Sequence, residues 1–168
     1  MSSEDLWAAT HALGSAPLLV VTGGEPIQHP GIGALLDAAI ERWPRVEVET
    51  SGGGEPPRSH PRLHYNVSPK LPSATPRWET TWDHIAGWIT EPRATFKLVV
   101  ADSADYEAAR DLIATRGVPR ERVMLMPEGM SEAVLKERAS WLAERCKEEG
   151  FRLSPRLHVW LWGARRGT

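Results

Sequence analysis

The amino-acid sequence predicts an α/β fold built on a largely parallel sheet. Short apolar runs rich in β-branched residues alternate with longer segments whose apolar residues recur at helical spacing. This alternation, with connections long enough for parallel pairing, is typical of strand–helix repeats. In addition, glycine-rich or polar motifs directly follow four of the predicted strands. Parallel sheets bind ligands at the carboxyl ends of their strands, so these motifs predict a binding edge.

The strands are predicted from runs of apolar and β-branched residues. The run LLVVT is continuously apolar and predicts a buried strand, whereas RVEVET alternates and predicts a strand with one polar face. The last run, SPRLHVWLWG, predicts an extended segment. In chain order the predicted strands are residues 18–22, 45–50, 63–67, 94–100 and 122–126, with the extended segment at 154–163.

The helices are predicted from apolar spacing and from capping residues. Asp102 or Ser103 caps one helix, Ser131 begins a long one, and Gly150 ends it. Ser2 or Ser3 caps the first helix, and WDHIAGWI at 82–89 is compatible with a short one. The other predicted helices cover residues 3–13, 31–43, 104–116 and 131–149.

Composition limits the classes of protein to which the chain belongs. The 168 residues fit a single domain, 1–168, and 41% apolar with 25% charged residues is typical of a globular protein. The net charge of −2 gives no reason to expect a nucleic-acid or membrane partner. The N-terminal residues lack the pattern of a signal peptide. We therefore expect a cytoplasmic protein.

The single cysteine, Cys146, excludes an internal disulfide. It lies in a predicted helix with no activating motif, so we expect an ordinary helical thiol. The six histidines show neither H-x-x-x-H nor H-E-x-x-H spacing. We therefore expect no metal site built wholly within this chain.

The segment VVTGGEP is the most unusual strand end. Gly23 and Gly24 allow positive φ and close approach of a ligand to the backbone, while Glu25 is a hydrogen-bond acceptor and Pro26 stiffens the exit. The residues alone favour the alternative interpretation, a tight turn between the strand and the following loop. The segment is neither a phosphate-binding P-loop nor a dinucleotide-binding G-x-G-x-x-G motif.

Three further candidates, Glu49, Lys70 and His158, also have two interpretations each. Alternation places Glu47 and Glu49 on one face of their strand, either at a solvated surface or at the ligand edge. Lys70 follows Pro69, which restricts the backbone, and Lys70 likewise lies either at a solvated surface or at the ligand edge. His158 lies between apolar residues and is either structural or part of a site.

Taken together, the motifs resemble the 7-carboxy-7-deazaguanine synthases, a family of radical S-adenosylmethionine enzymes. VVTGGEP, VEVETSG, YNVSPKL, FKLVV, MPEG and RLHVWLWGARRG occur in this order from about residue 16 to residue 167. The resemblance implies a partial (β/α) barrel of the radical S-adenosylmethionine type. It also implies conversion of 6-carboxy-5,6,7,8-tetrahydropterin to 7-carboxy-7-deazaguanine with release of ammonia, on the route to queuosine and related 7-deazapurines.

The resemblance also implies roles for particular residues. Thr22 and His158 would bind the pterin substrate, and the remaining candidates would bind S-adenosylmethionine. The second group is Gly23, Gly24, Glu25, Glu49, Ser51, Ser68, Pro69, Lys70, Met126, Pro127, Glu128 and Gly129.

One family feature is absent from this sequence. The family holds a [4Fe–4S] cluster through three closely spaced cysteines and uses Mg²⁺ in the rearrangement, and cysteine thiolates are the usual cluster ligands. Here Cys146 is the only cysteine. We therefore expect that the family's first strand and cysteine loop lie outside this sequence, that no catalytic or metal-binding residue lies within it, and that the chain alone is inactive.

Several origins and functions follow as alternatives. The sequence leaves three origins open: a misplaced start codon, a separate N-terminal chain that carries the cluster, or a gene that is a remnant. The strand at 18–22 would then have an unpaired apolar edge, which predicts low solubility or dimerisation through it. The family is typically homodimeric, so we also expect a homodimer. The alternative functions are a cluster-free module that binds S-adenosylmethionine or a pterin, and an interaction subunit.

Overall fold

The structure, a computed structural model, describes residues 3–165 apart from residues 13 and 15. Its sheet has six strands, all parallel, and their spatial order follows the chain. Among the described residues the first strand pairs only with the second and the last only with the fifth, so the sheet is not a closed barrel. The strands are β1 (Leu18–Val21), β2 (Arg45–Thr50), β3 (Leu63–Val67), β4 (Ala94–Val100), β5 (Val123–Pro127) and β6 (Arg152–Leu153).

Helices lie between successive strands, except between β2 and β3, and complete the predicted α/β architecture. Their bounds are α1 (Ser3–Ala12), α2 (Ile32–Arg42), α3 (Ile85–Thr90), α4 (Ser103–Arg116), α5 (Glu132–Glu149) and α6 (Leu157–Trp162). Ser2 and Leu13, which the prediction for α1 included, lie outside the described residues. No helix in the described part of the chain is long and apolar enough to cross a membrane.

Only one face of the sheet is fully buried. Val48, Tyr65, Phe96 and Leu125 belong to this face and pack with helix residues such as Leu36 in a single core. The side chains that alternate with them on β2, β3 and β4 are half-buried or exposed. We call this second side of the sheet the open face.

The predicted helix caps are confirmed where the structure describes them. The Asp102 carboxylate accepts the Asp105 N–H at 2.9 Å and begins α4. The Ser131 hydroxyl accepts the Val134 N–H at 3.5 Å and begins α5. Gly150 ends α5 with φ +78°, a conformation that glycine adopts without strain.

The prediction of an extended segment over 154–163 is wrong. The Ser154 N–H still donates to the Leu125 carbonyl at 2.9 Å, but Pro155 has no N–H with which to continue the ladder. The Val159 N–H then donates to the Arg156 carbonyl at 2.9 Å, and α6 begins. Val159 is buried while its aromatic neighbours stay exposed, so the tertiary contact of one residue outweighs the β-propensity of the segment.

The prediction of a buried first strand is also wrong. Leu18 and Val20 of β1 are 37% and 45% exposed, because β1 lies at the sheet edge and these side chains lie on the open face. Leu19 and Val21 face the other way and pack against the core. The continuous apolar run of β1 therefore belongs to an edge strand that has apolar side chains on both faces, of which those on the open face are exposed.

Candidate functional site

The carboxyl ends of the strands lie along one edge of the sheet because all strands are parallel. This edge brings together nearly all residues that the sequence singled out. The segments that follow the strands there are Thr22–Glu25 after β1, Ser51–Gly54 after β2, Ser68–Lys70 after β3 and Glu128–Gly129 after β5.

The loop after β1 uses its two glycines in conformations that other residues rarely adopt. Gly23 has φ +102° and Gly24 has φ +54°. A Cβ at either position would meet no atom within 4 Å. Backbone conformation, rather than crowding, thus requires glycine here, and the space around the two peptide groups is open to a ligand.

Glu25 connects this loop to the end of β2. Its Oε1 accepts the Thr50 hydroxyl at 2.6 Å, and its Oε2 accepts the Ser51 N–H at 2.7 Å. The Ser51 hydroxyl also donates to Oε2. A carboxylate offers about four lone-pair positions, so Oε1 retains capacity for another donor such as an ammonium group.

The loop after β2 is held by packing against β3 and the segment before α3. Gly52 has φ +88°, and a Cβ there would lie 2.9 Å from Val67 Cγ1 and 3.1 Å from the Thr81 carbonyl oxygen. The Trp88 indole N–H donates to the carbonyls of Gly52 at 3.3 Å and Gly54 at 2.8 Å. Ser51 is therefore presented from a rigid loop.

Lys70 is anchored by its backbone on both sides. Its N–H donates to the Thr81 hydroxyl at 2.8 Å, and its carbonyl accepts the Trp82 indole N–H at 2.8 Å. The side chain is half-buried, and desolvation together with the charge of Lys97 lowers the pKa of Lys70, whereas Glu25 opposes that change. The anchoring residues come from the irregular segment 71–92, in which sequence reasoning found no candidate.

Glu49 lies at the junction of the binding edge and the open face. The Thr22 hydroxyl lies 3.5 Å from Glu49 Oε2, and Lys97 Nζ lies 3.7 Å from Glu49 Oε1. Lys97 is on β4, two strands away, and was not among the predicted site residues. The alternation of ATFKLVV, which puts Lys97 on the polar face of β4, is the signal that identifies it.

The end of β5 is fixed by two arginines. Arg138 of α5 donates to the Glu128 carbonyl at 2.8 Å and forms an ion pair with the Glu128 carboxylate. Arg156 donates to the Gly129 carbonyl at 2.8 Å. Met126 is half-buried on the open face. The Glu128 N–H also donates to the Val100 carbonyl at 2.9 Å, so the carboxylate and the backbone groups of Glu128 and the carbonyl of Gly129 are all engaged within the protein.

His158 does not belong to a segment that directly follows β1, β2, β3 or β5. It lies on α6 and is exposed. No hydrogen bond or ion pair within residues 3–165, as far as they are described, joins it to the strand ends. Its assignment to the substrate site stays a prediction.

The open face carries a row of polar groups, of which only Glu47 was singled out from the sequence. Arg45 pairs with Glu47 at 2.7 Å, and Asn66 donates to Glu47 at 3.2 Å. The Thr95 hydroxyl donates to the Asn66 side-chain oxygen at 3.0 Å. Desolvation, the leading effect, and the charge of Arg45 lower the pKa of the neighbouring His64. This network spans β2, β3 and β4 below the binding edge.

A cavity of about 800 Å³ lies beside the first strand end. Thr22, Gly23 and Glu25 form its polar rim, while α1 and α2 provide apolar walls such as Trp7 and Leu35. Its residues come from the helix side of the sheet. The cavity therefore reaches the same loop as the open face does, but from the opposite side.

The chain has little capacity to bind a metal cluster. Cys146 is buried in α5, where burial raises the pKa of its thiol to about 11. An iron–sulfur cluster needs several thiolates. In the described part of the chain, no three His, Cys, Asp or Glu side chains are grouped so that they could hold a metal ion. The residues present do not fit a [4Fe–4S] cluster.

Three curated proteins that are similar to this chain share one name. The chain is 36% identical to a 7-carboxy-7-deazaguanine synthase of Pyrobaculum aerophilum, over 99% of this chain and 75% of that protein. It is 34% identical to one of Halobacterium salinarum, over 96% of this chain and 71% of that protein. A Chlorobaculum tepidum protein of the same name is 32% identical over 88% of this chain and 66% of its own length. No protein-family model matches.

Proposed function

The chain belongs to the 7-carboxy-7-deazaguanine synthase family, and from that membership we propose that it carries the family's binding site for S-adenosylmethionine and a pterin. The reaction served by this site is the conversion of 6-carboxy-5,6,7,8-tetrahydropterin to 7-carboxy-7-deazaguanine with release of ammonia, in the biosynthesis of queuosine and related 7-deazapurines.

The single observation that carries this proposal is the convergence of Glu25, Thr50 and Ser51. Three donors orient the Glu25 carboxylate and leave one acceptor position on Oε1. S-adenosylmethionine has an ammonium group, a carboxylate and ribose hydroxyls. The open backbone of Gly23 and Gly24, the carboxylate of Glu25 and the ammonium of Lys70 are complementary to these groups.

The other predicted residues have supporting roles in this proposal. Ser51, Ser68, Pro69 and the backbone of Met126–Gly129 border the bound cofactor, which supplies the reducible sulfonium and the adenosyl group. Thr22 lies at the junction with the open face, beside the exposed Glu49 and the half-buried Lys97. That position suits the pterin.

The iron–sulfur cluster and Mg²⁺ require groups from outside this chain. One buried cysteine does not hold a cluster. We therefore propose that this polypeptide is inactive by itself in the radical reaction, and that a further polypeptide segment supplies three cysteines. An upstream reading frame with a C-x-x-x-C-x-x-C pattern would support this origin.

We infer that such a segment pairs with the edge of β1 that no other strand occupies in the described part of the chain. In a sheet whose strands follow chain order, a strand connected to α1 lies beside β1. Leu18–Val21 has no charged residue or proline that would block pairing at this edge. If the cysteine-bearing segment pairs with this edge, Val20→Lys is expected to abolish its co-purification. If two copies of the chain instead pair through this edge, the parent chain is a dimer and Val20→Lys is a monomer.

Two measurements on the purified chain test the proposal. Calorimetry with S-adenosylmethionine is expected to show binding that Glu25→Gln weakens. Reconstitution with iron and sulfide is expected to yield no [4Fe–4S] absorption from the chain alone, and a cluster with activity after co-expression of the cysteine-bearing segment. Binding without any gain from that segment would instead favour a cluster-free binding module, which the single buried cysteine also allows.

A further inference from the structure

A ligand-sized cavity lies on the helix side of the sheet, where the proposed function assigns no ligand. It is bounded by α1, α2 and the end of β1, and its volume is about 800 Å³. Folded proteins contain few voids larger than a water molecule, whereas small-molecule pockets have volumes of about 300–1,000 Å³. The space between α1 and α2 therefore has the size of a binding site rather than of a packing defect.

The walls of this cavity are largely apolar. Leu6 and Trp7 of α1 and Leu35 and Ala38 of α2 line it, and Trp7 and Leu35 are half-buried. The Trp7 ring packs against Trp43, with 5.6 Å between the ring centres. An aromatic ring in a fixed position provides a flat apolar wall, so the lining suits a ligand with an aromatic body.

Arg42 brings a positive charge to the same lining. Its Nη1 donates to the Ala38 carbonyl at 2.7 Å, and its guanidinium carbon lies 5.1 Å from the centre of the Trp7 ring. A guanidinium has five N–H donors, so a bond to one carbonyl leaves it able to bind an anionic group. The charge therefore lies next to the aromatic wall.

The other polar side chains of the lining are compatible with an anion. His29 Nδ1 accepts the Gly31 N–H at 3.1 Å, so Nε2 carries the proton of the neutral ring and is a donor. Glu25 also lines the cavity, but Thr50 and Ser51 donate to its carboxylate. Apolar walls beside a cation and a neutral donor are complementary to an amphipathic anion.

We propose that the cavity between α1 and α2 is a second ligand site, which binds a small amphipathic anion. The apolar body of the ligand lies against Trp7 and Leu35, and its anionic group binds Arg42. The site goes beyond the proposed function and does not require S-adenosylmethionine, because its walls come from the helix side of the sheet.

The test uses two dyes that differ in one anionic group. 1-Anilinonaphthalene-8-sulfonate has an aromatic body and a sulfonate, and N-phenyl-1-naphthylamine has the same body without the sulfonate. Both are titrated by fluorescence into the full chain without other ligands, and calorimetry gives the number of sites.

Four variants locate the site and its charge. Ala38→Phe fills the cavity, and Ala114→Phe on the exposed surface of α4 is its control. Arg42→Gln removes the charge, and Arg116→Gln is its control, since each arginine lies in the last turn of a helix and is exposed. The thermal midpoint of each variant checks that it folds, and Ala34→Phe replaces Ala38→Phe if the latter does not fold.

The parent chain is expected to bind one molecule of either dye in the cavity. Ala38→Phe should abolish this binding and Ala114→Phe should leave it unchanged. Arg42→Gln should weaken the sulfonate dye about 10-fold, as expected for the loss of one hydrogen bond to a charged group, and should leave the uncharged dye unaffected. Arg116→Gln should weaken neither dye.

Three results would overturn the proposal. Equal binding by Ala38→Phe and Ala114→Phe would mean that the dyes bind elsewhere on the chain. Equal effects of Arg42→Gln on the two dyes would mean that the cavity does not select an anion. Loss of dye binding in a complex with the cysteine-bearing segment would mean that this segment occupies the cavity. None of these results bears on the binding of S-adenosylmethionine, which is measured separately.

Discussion

The Glu25 carboxylate accepts the backbone N–H of Ser51 at 2.7 Å, so the loop after β1 is hydrogen-bonded to the residue that follows β2. This contact makes a residue of the glycine-rich motif part of the structural link between two strand ends. Mutation of Glu25 is therefore expected to affect both the stability of the fold and the binding of ligand, and the two effects can be measured separately.

Glu25→Gln is expected to lower the free energy of unfolding by about 1–3 kcal/mol. The amide nitrogen cannot accept from both the Ser51 N–H and its hydroxyl, so one or two donors lose their charged partner. Chemical denaturation measures the change. Glu144→Gln removes an exposed carboxylate paired with Lys147 and should cost less than about 1 kcal/mol. Equal losses in both variants would show that the Glu25 contacts add nothing to stability.

Gly52→Ala is expected to destabilise the protein by about 2–5 kcal/mol. Its positive φ costs about 1–2 kcal/mol for any L-residue, and the added Cβ 2.9 Å from Val67 Cγ1 adds about 1–3 kcal/mol of overpacking. Gly117→Ala separates the two effects, because Gly117 has φ +69° and nothing within 4 Å of its Cβ position. Thermal unfolding of both variants should place Gly52→Ala lower; the same midpoint for both would mean that the contact with Val67 relaxes freely.

Arg122→Lys is expected to destabilise the fold by at least about 3 kcal/mol, because hydrogen bonds to charged groups contribute about 1.5–3 kcal/mol each. The guanidinium donates to the carbonyls of Ala94, Ile89, Trp88 and Glu91 at 2.8–3.0 Å and lies over the Phe96 ring. A lysine has one nitrogen and does not reach four carbonyls.

The control for Arg122 is Arg116→Lys on the exposed end of α4, which should change the free energy of unfolding by less than about 0.5 kcal/mol. Denaturation midpoints compare the two. If Arg122→Lys behaves like Arg116→Lys, water rather than the guanidinium satisfies the carbonyls around β4.

Local sequence patterns predicted the parts of the fold that local physics determines. The strands β2, β3 and β4 have the predicted bounds because each alternates between a buried and a polar face. The caps Asp102 and Ser131 were predicted because a side chain and a backbone N–H three residues later suffice to define them.

The parts of the fold and of the candidate site that local patterns did not predict depend on contacts between residues that are distant in sequence. Thr81 and Trp82 anchor Lys70 from a segment without periodicity, so no local pattern identifies them. Lys97 reaches Glu49 across an intervening strand. In α6 the burial of Val159 decides the conformation of a sequence whose composition favours a strand. Such contacts are set by the assembled sheet.

The thiol of Cys146 is expected to make stability fall with alkaline pH. Burial raises the pKa of Cys146 from 9.0 to about 11. Between these values the folded state holds a proton that the unfolded state has released, so the contribution is fully present below pH 9 and is lost as the pH rises. From 1.36 kcal/mol per pKa unit, the loss by pH 11 is about 2 kcal/mol.

Burial also raises the pKa of Tyr65, so the ionisation of Tyr65 lowers stability at alkaline pH as well. Cys146→Ala separates the contribution of the thiol from that of Tyr65. The free energy of unfolding, measured from pH 8 to pH 11 in both proteins, should decline about 2 kcal/mol less in the variant, whatever its stability at pH 8. Parallel declines would mean that the thiol ionises as readily in the folded chain as in the unfolded one. Iodoacetamide would then modify Cys146 in the native protein at the rate of a free thiol, whereas a buried thiol reacts only as α5 opens.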